Sequence, residues 1–116
     1  TLPTILREGG YESAFIGKWH LVSNPTGFDH WEVLPGQGDY YHPRFITKEG
    51  EHVESGYVTN LITEKALKWI NAPRKGPFFL IVGHKAPHRP WIPNRSHLSS
   101  PVVTFPEPAT LRTNYE

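Results

Sequence analysis

The run FFLIVG, residues 78–83, leaves the chain the fewest options. It is far too short to span a bilayer, and it lacks the polar alternation of a strand with one wet face. The pattern predicts a strand buried on both faces. Ahead of it lies a stretch from about Val58 to Asn71. There Val58, Leu61, Ile62, Ala66, Trp69 and Ile70 recur at three-four spacing, with Glu64, Lys65 and Lys68 placed to face water. APRKGP then breaks the helix. Helix followed by a fully buried strand is the grammar of a three-layer α/β domain with a largely parallel sheet.

The opening repeats that grammar. TLPTILREGG reads as a short helix, with Thr1 as cap, Pro3 in the first turn and Leu2, Ile5 and Leu6 on one apolar stripe. After the Gly9–Gly10 stop, YESAFIGKW reads as a strand. Further on, NPTG is a turn, FDHWEVL a short strand and PGQGDYYHP a loop. RFITKEGEHVE reads as a hairpin around Glu49 and Gly50, and the proline-rich tail, residues 93–116, as a surface wrap. The 12 prolines and 10 glycines fit that many turns, and a 37% hydrophobic share still supports a core.

Composition removes several functions. At 116 residues the chain is one modest domain. Twelve Lys and Arg against eleven Asp and Glu leave no basic excess for nucleic acid or a membrane surface, and no apolar run reaches membrane-span length. With no cysteine there is no disulfide, thiolate metal site or cysteine nucleophile in this sequence. Methionine is absent and the first residue is Thr1, so the expectation is an internal excerpt of a longer chain.

Both strong strand candidates end in basic residues, IGKWH and LIVGHKAPH. Ligands of open α/β sheets gather beyond the carboxyl ends of strands. If the two strands run parallel and close, Lys18, His20, His84, Lys85 and His88 converge on one anion pocket. Strand alternation puts Lys18 and His20 on one side, with Trp19 on the other. His84 and His88 are four apart, a zinc spacing on a helix, but Pro87 forbids a helix there and no glutamate lies between them. His30, His42, His52 and His97 read as surface residues, and Trp31, Tyr40, Tyr41 and Trp91 as aromatics that either stack on a sugar or pack their own loop.

The literal motifs go further. LPTILREGGYESAFIGKWHL resembles the second signature of the type I, formylglycine-dependent sulfatases, a helix of the form LPxxLrxaGY leading to a strand that ends in GKWH. YVTNLITEKALKWI resembles a later family helix in which Asp is usual at the position of Asn60. GPFFLIVGHKAPHRPW resembles the family strand that leads into a Pro-His pair. The order fits over most of residues 1–93. The middle region is most similar to the branch acting on carbohydrate, in particular N-acetylglucosamine-6-sulfatases.

The resemblance implies an alkaline-phosphatase-like α/β fold and sulfate ester hydrolysis, with this chain an internal part of the catalytic domain. Formylglycine, made from Cys or Ser in a C/S-x-P-x-R motif by a maturation enzyme, and the calcium ligands are expected outside it. SNPTG and NRSHLSS do not fit that motif. The segment alone is expected to be inert. By resemblance Lys18 touches the formylglycine and a sulfate oxygen, and His20 holds the formylglycine gem-diol and helps it collapse. His88 donates a proton to the leaving sugar oxygen. Lys85, which some relatives replace with Ala, and His84 are expected substrate contacts. The expected substrate is a sulfated carbohydrate such as 6-O-sulfated N-acetylglucosamine in glycosaminoglycan or mucin glycans, and the expected location periplasmic, secreted or lysosomal. The rival readings are a phosphonate monoester hydrolase or phosphodiesterase of the same superfamily, and a non-catalytic relative that binds sulfated glycans.

Overall fold

A computed structural model of the chain describes residues 1–99, 101 and 103–111. In chain order these form α1 (Leu2–Glu8), β1 (Glu12–Lys18), β2 (His30–Leu34), β3 (Arg44–Thr47), β4 (Gly50–Val53), α2 (Val58–Ile70) and β5 (Phe78–Gly83). The strands make one sheet in the order β4-β3-β2-β1-β5. β1 runs parallel to both β2 and β5, and the β3–β4 hairpin adds on antiparallel beyond β2. The sheet is therefore mixed, with a parallel centre. Among the described residues the tail holds a 3₁₀ turn, Arg95–His97; the expected surface wrap otherwise lies partly outside the described residues.

The buried strand is not the one the composition picked. β1 is covered along nearly its whole length, whereas apolar β5 is the sheet edge, with Phe78 44% and Val82 38% exposed. Such an apolar run suits a strand covered on both faces, but among the described residues only β1 pairs with β5 and none of its residues is fully buried. The α1 stripe differs in the same way: Leu2 and Ile5 are exposed, and only Pro3 is buried.

Each face of β1 carries its own core. Ala14 and Ile16 pack with Leu34, Phe45 and the α2 residues Val58, Leu61, Ile62, Ala66 and Trp69. Phe15 faces the other way, among Phe28, Trp31 and Val33. Parallel strands are usually joined by a helix. Here residues 19–29 make the crossover without one, and Trp19 and Phe28 close edge-on over Phe15, with ring centroids 4.8 and 5.8 Å away. Asp29 fastens the return. Its carboxylate accepts from the Ser13 N–H (2.8 Å) and hydroxyl (3.0 Å) and pairs with Arg7 at 3.2 Å. Burial pushes this carboxyl up, but the Ser13 bonds and the Arg7 and Lys48 charges outweigh it and hold Asp29 below its usual range.

Lys65, expected to face water, instead ties α2 to the sheet. Its amine lies 2.7 Å from Glu32 and 2.6 Å from Glu54, and 4.7 Å from the Phe45 ring centre. His30, expected at the surface, is half-buried and 3.3 Å from Glu32. The His30 hydrogen bond, with help from Lys65, outweighs burial and brings Glu32 down to about 2. A carboxyl depressed on folding stabilises the protein above its unfolded value and loses that contribution as pH falls toward the folded one. Glu32→Gln in the full-length protein should therefore cost about 1 to 3 kcal/mol near neutrality. The gap in melting temperature from wild type should close as the pH is lowered from about 5 toward 2. A gap that stays constant in thermal melts across that range would remove the ion pair from the account.

Candidate functional site

The site begins where two glycines let two strands touch. In register, Gly17 of β1 lies beside Gly83 of β5. A Cβ on Gly17 would sit 2.0 Å from the Gly83 carbonyl oxygen, and one on Gly83 would sit 2.8 Å from the Lys18 oxygen. Gly17 also holds φ at +111°, which side chains other than glycine avoid. The approach joins the C-terminal ends of these parallel neighbours, with Lys18 the last residue of β1 and His84 the first after β5. Lys18 is half-buried, in register with Leu34; His84 is exposed.

The alternation that predicted a shared side for Lys18 and His20 stops at this point. β1 ends at Lys18, and His20 takes φ +55°, a left-handed backbone that re-aims its ring. Gln37, in the loop after β2, meets that ring: its amide nitrogen is 2.9 Å from His20 Nε2. The carbonyl of the same Gln37 accepts from the Lys85 amine at 3.1 Å. Lys85 is only 4% exposed and lies 4.7 Å from the centre of the Tyr40 ring. The Tyr40 hydroxyl donates to the carbonyl of His88. The His88 N–H closes a turn on the Lys85 carbonyl at 3.0 Å. The His88 ring pairs through Nδ1 with the Arg89 carbonyl at 2.8 Å.

His20, Lys85 and His88 thus belong to one connected cluster, while Lys18 is the last residue of β1 and His84 the first after β5. Gln37 and Tyr40 were not singled out for this from sequence. The signal was the GQGDYY loop itself, which announces a tight turn and aromatics but not where they land. Of the aromatics read as sugar platforms, Trp31 (5% exposed) and Tyr40 (4% exposed) are core residues, while Trp91 is exposed. A cavity of about 260 Å³ borders His20, but its other walls are residues 19–24, 33–36 and Ile46, so it belongs to the crossover and not to the cluster.

Among the described residues no group of three or more His, Asp or Glu is placed to hold a metal ion. Among those residues His84 and His88 gather no third ligand, and no calcium site is formed.

An open sheet with amines and imidazoles beyond its parallel strand ends is an α/β domain suited to an oxyanion. The chain belongs to the sulfatase family, whose model matches residues 1–112. It is 49% identical to an N-acetylglucosamine-6-O-sulfatase of Bacteroides thetaiotaomicron, over all of this chain and 22% of that protein. It is 29% identical to the human N-acetylglucosamine-6-sulfatase, over 78% of this chain and 20% of that one. A solved structure of a protein in complex with its substrate, D-glucosamine-2-N,6-O-disulfate, superposes with a TM-score of 0.88 at 46% identity, covering all of this chain and 24% of the other. The fold is the alkaline-phosphatase-like α/β fold of the sulfatases. The chain spans about a fifth to a quarter of the length of these relatives.

Proposed function

We propose that the full-length protein hydrolyses sulfate esters of carbohydrate, with 6-O-sulfated N-acetylglucosamine of glycosaminoglycan or mucin glycans as substrate. In this reading residues 1–116 are an internal part of its catalytic domain. The observation that carries it is the Gly17–Gly83 register, which sets Lys18 beside the strand that leads to His88. The similarity to sulfatases named for 6-sulfated N-acetylglucosamine supports the substrate.

The roles follow from charge and reach. Lys18 binds a sulfate oxygen; at about 4 Å in a partly buried site the attraction is roughly 4 kcal/mol before desolvation. His20 orients the group that attacks sulfur. With Nδ1 on the Arg89 carbonyl, His88 has Nε2 left to give a proton to the departing sugar oxygen. A placed acid contributes about 10² to 10⁴ to such a step. Lys85 and His84 lie in or beside the same cluster. The formylglycine nucleophile, its maturation enzyme and a calcium ion belong to other segments of the protein, and the working location is outside the cytoplasm, whether periplasmic, secreted or lysosomal.

The test is release of inorganic sulfate from N-acetylglucosamine-6-sulfate by the purified full-length protein, run beside phosphate and phosphonate esters. Sulfate release from the sugar should dominate. Preference for phosphonate or phosphate esters, or glycan binding with no release, would overturn the reading.

A further inference from the structure

We propose that Tyr40 and Lys85 form a buried clamp that positions His88, and that Gln37 extends the clamp to His20, so that all three act as positioning residues. This rests on the sulfatase reading above. Lys85 was expected to meet substrate. In the structure its amine is covered, donating to the Gln37 carbonyl and lying over the Tyr40 ring. A buried ammonium is held where partners meet it, and both partners belong to the loop after β2, far in sequence from Lys85.

The His88 loop is gripped at both ends. At one end the Lys85 side chain reaches into the loop after β2; at the other Tyr40 takes the His88 carbonyl. The Tyr40 ring is itself fixed, stacked on Tyr57 with centroids 6.0 Å apart. Burial, with Tyr57 beside it, pushes the Tyr40 phenol above its usual value, so it stays a donor. On the far side the Lys85 bond holds Gln37 against His20. The Gln37 Oε1 is buried with no partner among the described residues. Rotating that amide would offer Oε1 to a protonated His20 nitrogen, so Gln37 suits either state of the ring. A proton donor works only within hydrogen-bond reach of its target, and small misplacements cost heavily.

The experiment is a double-mutant cycle on the full-length protein with N-acetylglucosamine-6-sulfate, pairing Tyr40→Phe and Lys85→Met each with His88→Ala. Tyr40→Phe alone should lower kcat about tenfold with KM within about twofold, and in the His88→Ala background it should cost less than about twofold. Lys85→Met should likewise cost clearly less in that background. Equal losses in both backgrounds mean a merely structural role and overturn the clamp. So does an unchanged kcat, or a Lys85→Met loss confined to KM, which marks a substrate contact. Tyr40→Phe removes a single hydroxyl and carries the test if Lys85→Met does not fold. A wild type that releases no sulfate, or a fully active His88→Ala, would instead overturn the functional reading, and the clamp with it.

Discussion

Replacing Lys18 with alanine in the full-length protein should lower kcat for the sugar sulfate at least about a hundredfold while leaving the melting temperature nearly unchanged. Lys18 is the last residue of β1, half-buried and beyond the packed part of the strand, so truncating it opens no core cavity. What is lost is a fixed cation at the transferring group, typically worth about 3 to 4 kcal/mol. Lys18→Arg should recover only part of the rate, because the broader guanidinium does not reproduce a compact ammonium. Steady-state kinetics on purified, folded variants decide the matter. Near-normal turnover by Lys18→Ala would take that residue out of the mechanism.

Gly17→Ala should damage the fold itself. The new methyl would lie 2.0 Å from the Gly83 carbonyl oxygen and 3.2 Å from Ile62 Cδ1, on a backbone held at φ +111°. Overpacking costs about 1 to 3 kcal/mol, and a strained backbone conformation costs about as much again. Together, at about 2 to 6 kcal/mol, these take a large share of the roughly 5 to 15 kcal/mol that holds a domain folded. The expected result is loss of soluble protein or a steep fall in melting temperature. Gly10→Ala is the matched control. Gly10 also has positive φ (+81°) but would meet nothing within 4 Å, so its variant should lose only about 1 kcal/mol. If the two variants melt alike, the close approach of β1 and β5 is not what Gly17 provides.

These two neighbours show how local patterns and tertiary contacts divide the work. The helix 58–70, the β3–β4 hairpin and the strands on either side were legible because periodicity and turn residues act over a few positions. The basic strand ends were legible for the same reason. His20 was placed on the side of Lys18 by simple alternation, which fails once the strand stops and φ turns positive. The burial of β5 was misjudged because side-chain chemistry records what a strand is built to touch, not which partners stand beside it in a segment of this length.

By itself the sequence determined the elements, the family signature and the kinds of charge at the strand ends, since these depend on neighbours along the chain. Only the tertiary structure decided the register that puts Gly17 against Gly83, and the meeting of Gln37 and Tyr40 with a loop 48 positions further on. Such contacts join residues distant in the chain, and they are selected by packing and by the cost of leaving a buried ammonium or hydroxyl unpaired.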